Sequence, residues 1–105
     1  MNFAQGDIVL ADLGHAAKVR PALVLSKPGF DAERNMTVLA PITTETRGGK
    51  GEISFPKPHW LARDSAVNLT GMAGVDNARI LRRLGPFPAQ SLPAVKKLLT
   101  EMLGL

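Results

Sequence analysis

The sequence of 105 residues carries a formal net charge of +4 and contains no cysteine. This length allows one hydrophobic core, so we interpret residues 1–105 as a single domain. The lack of cysteine excludes disulfides and thiolate metal sites, and His15 and His59 cannot build a zinc site alone, so we expect neither a metal nor a cofactor. No apolar run approaches the ~20 residues of a membrane span, and the N-terminus lacks a signal-peptide pattern, which predicts a cytoplasmic protein without a membrane partner.

The positive charge is unevenly distributed along the chain. Residues 1–52 contain six Lys or Arg and six Asp or Glu, whereas residues 53–105 contain seven and three. A basic balance indicates an acidic partner, either nucleic acid or an acidic polypeptide, although Lys and Arg also simply solvate a surface. With four Phe, one Trp and no Tyr, the chain has little material for a platform that stacks on single-stranded bases. The second half is therefore predicted to supply most of any electrostatic attraction.

Short apolar or alternating runs, separated by glycine, proline and polar residues, predict six strands. They cover residues 7–13, 22–26, 36–42, 52–55, 65–69 and 72–75. Residues 80–84 form a brief turn or a further strand, which Gly85 and Pro86 would end. A helix follows, with Ser91 as its N-cap and Gly104 at its exit. Its apolar positions recur every three or four residues, at Leu92, Val95, Leu98, Leu99 and Met102. The pattern predicts a small curled antiparallel sheet with this helix packed on it.

An arginine and a proline mark the start of the second predicted strand. Pro21 fixes its own φ and pushes Arg20 towards extended backbone, so the guanidinium leaves the chain in a restricted direction at the mouth of the sheet. The third predicted strand is followed by Thr43 and Thr44. Two apolar strands thus each deliver a cationic or hydroxyl group near one end.

Four segments carry a resemblance to a known family. They are GDIVLADL at residues 6–13, VRPALVLS at 19–26, VLAPIT at 38–43 and VDNARILRRLG at 75–85. In this order they resemble the MazF/PemK family of toxin endoribonucleases of type II toxin–antitoxin systems. The resemblance implies a mainly-β fold, an SH3-like β-barrel of about six or seven short antiparallel strands with a C-terminal helix, usually assembled as a homodimer. It also implies cleavage of single-stranded RNA and inhibition by a cognate acidic antitoxin.

By motif position, the resemblance places the family's catalytic arginine on Arg20 and its catalytic threonine on Thr43. Metal-free RNA cleavage can use the substrate's own 2′-OH as nucleophile, so the protein has to align the phosphate and stabilise the charge that grows on it. A guanidinium with five donors suits the phosphate, and a hydroxyl adds one oriented donor. The expected products are a 2′,3′-cyclic phosphate, or the 3′-phosphate that it opens to, and a 5′-hydroxyl. The alternative is that Arg20 forms a surface ion pair and Thr43 only ends a strand.

His15 departs from the family pattern. It lies five residues before Arg20, where many relatives carry a glutamate. Because imidazole takes or gives a proton near neutral pH, His15 is a third catalytic candidate, as base towards the 2′-OH or as acid towards the leaving 5′-oxygen. A solvated loop histidine is the alternative.

The family's Asp-Gln-x-Arg set is a second departure. The matching residues 70–73 are Thr-Gly-Met-Ala, so neither a carboxylate nor a guanidinium stands there. Asn68 and Thr70 are weaker polar replacements for gripping RNA, or else ordinary strand residues. This departure leaves both RNA recognition and activity open.

The remaining RNA-binding candidates are basic or hydroxyl residues beside these motifs. They are Lys18, Thr44, Arg47, Arg82 and Arg83. Arg47 begins a glycine-rich stretch that can close over a nucleic-acid strand, and Arg82 with Arg83 can form part of a basic rim for RNA or an antitoxin. A solvated surface is the alternative for each.

Two other functions are compatible with the sequence. One is a relative that keeps the barrel and binds RNA or an antitoxin but cleaves weakly. The other is a gyrase poison, because the related CcdB group shares this fold. Fold alone does not discriminate among them. The pairing of RPALVLS with PIT retains Arg20 and Thr43, and therefore favours the nuclease.

Overall fold

The computed structural model describes residues 3–14, 18–61 and 63–105, which fold into seven strands and one α-helix. The strands are β1 (Asp7–Asp12), β2 (Val19–Val24), β3 (Met36–Thr43), β4 (Glu52–Ser54), β5 (Ala66–Asn68), β6 (Ala73–Asp76) and β7 (Ile80–Pro86). The helix is α1 (Leu92–Leu103), and short 3-10 turns cover Leu69–Gly71, Asn77–Arg79 and Ala89–Ser91. No helix in the described part of the chain is long and apolar enough to cross a membrane.

The strands form one antiparallel sheet. Its order is β4-β5-β3-β2-β1-β7, and β6 pairs with β3 beside β5. Irregular register between Ile8 and Val9, and again between Leu10 and Ala11, bends the β1–β7 pair. Among the described residues no pairing joins β4 to β7, so the curled sheet stays open instead of closing through hydrogen bonds. The prediction of a mainly-β, barrel-like fold with about seven antiparallel strands and a C-terminal helix is confirmed.

Both faces of the central strands are buried. One face carries Ile8 and Leu23 and packs against α1, where Val95 is 1% exposed. The opposite face carries Val9 and Val24, each fully buried in a second cluster with Phe3. Because successive side chains of a strand point to opposite faces, a strand that is covered on both sides needs apolar residues at consecutive positions. This arrangement accounts for the continuous apolar runs in the sequence.

Strand β2 starts three residues earlier than predicted, at Val19, so Arg20 and Pro21 lie inside the strand. The pairing with β1 runs from Leu23 back to Val19, whereas the recorded pairs with β3 begin at Ala22. Pro21 therefore occupies the part of β2 that pairs with β1 alone, where its missing N–H costs no bond to β3. Arg20 was expected in the loop just before the second strand, and it lies instead in the first part of β2.

Strand β7 runs through Gly85 and ends at Pro86, two residues beyond the predicted end at residue 84. Gly85 pairs with Ile8 and is covered by the ring of Trp60. A Cβ placed on Gly85 would come within 2.6 Å of that ring, so the glycine allows close packing and does not break the strand.

Helix α1 begins and ends where the sequence predicts, but its caps differ in kind. Ser91 makes no side-chain capping bond and has helical backbone angles, because it ends the preceding 3-10 turn. At the other end Gly104 adopts a left-handed φ of 69°. Leu105 N–H donates to the Thr100 carbonyl at 2.9 Å, and Gly104 N–H donates to the Glu101 carbonyl at 3.3 Å, as in a Schellman motif.

Candidate active site

Arg20 and Thr43 lie just beyond the recorded pairs of β2 with β3. Ala22 pairs with Pro41 in this ladder. Arg20 is two residues before Ala22 and Thr43 is two residues after Pro41, so by strand alternation each side chain lies on the face that carries Ala22 and Pro41. Both residues are half-buried.

Arg20 and Thr43 line the same two cavities. The main cavity, of about 650 Å³, also contains three predicted RNA-binding residues, Arg47, Asn68 and Thr70. The side cavity, of about 260 Å³, contains Thr44 beside Arg20 and Thr43. Six of the residues singled out from the sequence are therefore grouped around the ends of β2 and β3.

The Thr43 hydroxyl is oriented by the backbone. The Glu45 N–H donates to Thr43 Oγ1 at 3.0 Å, in a local turn of the kind that threonine often makes. Because this bond uses the oxygen as an acceptor, the hydroxyl hydrogen remains available as a donor. Thr43 can therefore donate a hydrogen bond to an anion in either cavity.

Asn68 and Thr70 form a polar pair in the main cavity. Thr70 Oγ1 and Asn68 Oδ1 lie 2.7 Å apart, and the threonine hydroxyl is the donor. The amide NH2 of Asn68 keeps two donors for another partner. This pair is a neutral set of donors at the place where the family's charged set is missing.

The charges of the main cavity are mixed. Arg20, Arg47 and Lys50 bring three positive charges, and Glu45 with Glu52 brings two negative ones. The Glu52 carboxylate accepts bonds from the Arg47 and Gly48 backbone N–H groups, so part of its charge is engaged in holding the loop. The cations exceed the carboxylates of the cavity by one, and one of those cations, Lys50, also lies 3.1 Å from Glu101 Oε1.

Arg20 also lines a third cavity, of about 580 Å³. Gly71, Ala73 and Gly74 line it together with Arg79. Two of these small residues, Gly71 and Ala73, stand at positions where the family's Asp-Gln-x-Arg set has larger polar side chains. In the described part of the chain, no group of three or more His, Cys, Asp or Glu side chains is placed to hold a metal ion.

Comparison with known proteins supports the sequence resemblance. A family model described as the PemK-like, MazF-like toxin of type II toxin–antitoxin systems matches residues 4–103. The chain belongs to this family.

Relatives and solved structures extend the match over the whole MazF-like chain. The endoribonuclease MazF6 of Mycobacterium tuberculosis is 31% identical over 114 residues, which cover all of both chains. MazF of Deinococcus radiodurans has a TM-score of 0.82 at 25% identity and covers 100% of this chain and 99% of its own. An endoribonuclease in complex with its cognate antitoxin from a mycobacterial species has a TM-score of 0.82 at 19% identity, covering 98% and 96%, and so shares the fold.

Other predicted residues of this MazF-like chain lie away from the main cavity. Lys18 is exposed, and its N–H donates to the Gly14 carbonyl at 3.2 Å. Arg82 is exposed on β7, which is separated from β2 by β1. Arg83 Nε donates to Asp7 Oδ1 at 2.8 Å. His15 lies outside the described residues. The RNA-binding roles of Lys18, Arg82 and Arg83 stay predictions.

Four charged residues join the MazF-like site although no sequence motif assigns them a role. Glu45, Lys50 and Glu52 line the main cavity, and Arg79 lines the cavity of small residues. Two weak signals were available: Glu45 follows Thr43 by two residues, and Arg79 belongs to the VDNARILRRLG segment. Lys50 and Glu52 are recognisable only once β4 has brought the loop beside β5.

Proposed function

We propose that this MazF-like protein is a metal-independent endoribonuclease that cleaves single-stranded RNA. The observation that carries the proposal is that Arg20 of β2 and Thr43 of β3 line the same two cavities. The names of the curated relatives favour endoribonuclease activity over both the weakened binding module and the gyrase poison.

The reaction is a transesterification, in which the 2′-oxygen of the substrate replaces the 5′-oxygen on phosphorus. The substrate 2′-oxygen attacks phosphorus and loses its proton to a base, while the bond from phosphorus to the 5′-oxygen breaks and that oxygen gains a proton. Arg20 stabilises the negative charge on the phosphoryl oxygens, and the Thr43 hydroxyl donates to one of them. His15 is the proposed base for the 2′-OH or, as the alternative, the proposed acid for the leaving 5′-oxygen.

The predicted RNA-binding residues extend the site around this centre. Arg47 would contact a flanking phosphate, because its charge lies in the main cavity with Arg20. The donors of Asn68, with Thr70 holding its amide oxygen, would contact a base edge or a ribose. Thr44 would contact RNA that extends into the side cavity.

Two protein partners belong to the same proposal. A cognate acidic antitoxin is supported by the family description, since a type II system pairs the toxin with a protein inhibitor. The basic balance of residues 53–105 suits an acidic segment. A homodimer is proposed from the family resemblance, and light scattering of the purified protein measures it directly.

The proposal is tested with a mixed-sequence single-stranded RNA in EDTA, with chemical identification of the new ends. We expect the cleavage rate to be unchanged in EDTA. The new ends should be a cyclic phosphate or 3′-phosphate and a 5′-hydroxyl. A second substrate carries a 2′-deoxyribose at the cleaved position and should stay intact, because it lacks the nucleophile. Arg34→Ala, an exposed arginine between β2 and β3, serves as the matched control for Arg20→Ala. Cleavage of the deoxy substrate, or intact RNA with well-folded protein, would overturn the mechanism.

A further inference from the structure

The segment between β3 and β4, residues 44–51, is held in a defined shape by one carboxylate. We call this segment the β3–β4 loop. Arg47 N–H donates to Glu52 Oε1 at 3.0 Å and to Oε2 at 3.2 Å, and Gly48 N–H donates to Oε1 at 3.1 Å. Two successive backbone N–H groups therefore converge on Glu52, an arrangement that favours an anion. Gly48 has a φ of 68°, which a residue with a Cβ rarely adopts.

The same loop is anchored at its other end. Glu52 N–H donates to the Gly49 carbonyl at 3.1 Å, and Leu69 N–H donates to the Gly51 carbonyl at 2.8 Å. Lys50 Nζ lies 3.1 Å from Glu101 Oε1 of α1, although both side chains are largely exposed. An exposed ion pair of this kind adds little stability. The carboxylate of Glu52 thus adds a side-chain contact between the tip of the loop and β4 to the backbone bond at Gly49.

The negative charge of Glu52 is unfavourable for a site that binds an anion. It lines the main cavity with Arg20 and Arg47, where its negative charge opposes a phosphate. Glu45 lines the same cavity, but it contacts Thr43 through its backbone N–H and not through its carboxylate. The two glutamates therefore bring the same charge to the cavity, and only one of them shapes the loop.

We propose that Glu52 is a positioning residue, which fixes the β3–β4 loop so that the Arg47 guanidinium faces RNA in the main cavity. This inference rests on the proposed function, because it takes RNA as the ligand of that cavity. Glu52 touches no reacting atom in this account and acts only through Arg47. The backbone bond is made at the Arg47 nitrogen itself, so a change at Glu52 alters the direction in which the arginine side chain leaves the loop.

The test compares four variants for RNA cleavage and for binding to an uncleavable 2′-deoxy oligonucleotide. They are Glu52→Ala, Arg47→Ala, the double variant and Glu52→Gln. Glu52→Ala and Arg47→Ala should each raise KM about tenfold with little change in kcat, as expected when one charge-assisted contact to the ground state and transition state is lost. Each should flatten the salt dependence of binding by about 0.7, the value for one phosphate on a single strand.

The double variant and the conservative variant separate positioning from a general structural role. If Glu52 acts through Arg47, the double variant binds no worse than Arg47→Ala alone. Glu52→Gln keeps an acceptor oxygen at the Oε1 position, which accepts from both N–H groups, and should stay within about threefold of the unaltered protein. Thermal unfolding of each variant shows that the fold is kept.

Two controls test the charge alone. Glu45→Gln removes the same negative charge from the main cavity and should strengthen binding slightly, whereas Glu33→Ala lies in the exposed connection between β2 and β3 and should change nothing. The inference is overturned if Glu52→Ala strengthens binding as Glu45→Gln does, or if its effect multiplies with that of Arg47→Ala.

Failure of the proposed function gives a different result. If the protein does not cleave RNA but the Glu52 and Arg47 variants still lose oligonucleotide binding without adding to one another, the positioning role holds and the nuclease proposal fails. If the protein cleaves RNA and Glu52→Ala cleaves and binds like the unaltered protein, the nuclease proposal holds and the positioning role fails. Absence of both cleavage and binding overturns both.

Discussion

The two basic regions of this protein differ in what surrounds their charges. At the ends of β2 and β3, Arg20 and Arg47 line a cavity together with hydroxyl and amide groups. On β7, Arg82 is exposed, and Arg83 is bonded to Asp7, whose side chain is only 11% exposed. The first region is arranged around an empty volume, and the second is arranged around an internal ion pair. Charge alone therefore does not identify a binding site, because the same residue type lines a cavity in one region and forms an ion pair of the fold in the other.

The largest expected difference concerns the two adjacent threonines of the β3 end. Thr43→Ala should lower kcat about 100-fold or more, the usual loss when one donor to a developing oxyanion is removed. Thr44→Ala is the matched variant, since Thr44 is exposed and lines the side cavity but not the main cavity. Its loss of kcat should be at least tenfold smaller than that of Thr43→Ala. Single-turnover cleavage of a saturating RNA measures both. Equal losses would place the reacting phosphate in the side cavity.

A second prediction concerns the stability of the β7 region. Asp7→Ala removes the acceptor of both Arg83 Nε and the Ala4 N–H, which bonds to Asp7 Oδ2 at 2.9 Å. The free energy of unfolding should fall by about 1–3 kcal/mol, because a partly buried donor is left without its partner. Arg83→Ala should cost less, since half of that side chain is in solvent.

Denaturant unfolding, with RNA cleavage as the accompanying readout, checks this second prediction. Cleavage by folded Asp7→Ala protein should stay close to that of the unaltered protein. If Asp7→Ala loses most of its cleavage at unchanged stability, β7 belongs to the active site and not only to the fold. The contrast between the two regions would then not hold.

The smallest expected difference is between Arg47 and Arg82 in RNA binding. The charge distribution of the sequence assigns the electrostatic attraction to residues 53–105, whereas the main cavity draws its cations from the first half of the chain. Arg47→Ala should flatten the log–log salt dependence of binding by about 0.7, and Arg82→Ala should flatten it less. A larger change for Arg82→Ala would show that RNA runs across β7, as the charge distribution predicts.

Much of the fold was predictable from local pattern. The buried central strands require apolar residues on consecutive positions, so β1 and β3 stand out as apolar runs. Strand β7 is harder to recognise, because four of its seven residues are exposed and its burial depends on Trp60, about 25 positions away. The start of β2 depends likewise on its pairing with β1 and not on its own residues.

Part of the candidate site was likewise predictable from the sequence, and part was not. Arg20 and Thr43 were predictable because each lies in a short motif, and in the structure both line the same two cavities. The roles of Glu52 and Arg83 depend on contacts made after folding. The Asp7–Arg83 bond spans 76 positions, so no local pattern predicts it. The Glu52 contact spans only five, but a glutamate near glycines has no distinctive spacing.

A double-mutant cycle on Arg20 and Thr43 tests the central claim, that these two residues act on one phosphate. The measured quantity is the single-turnover rate of RNA cleavage by the unaltered protein, Arg20→Ala, Thr43→Ala and the double variant. Residues that act as a unit lose their effect together, so the double variant should be little slower than the slower single variant. Losses that multiply, or rates close to the unaltered protein in both single variants, would contradict the account.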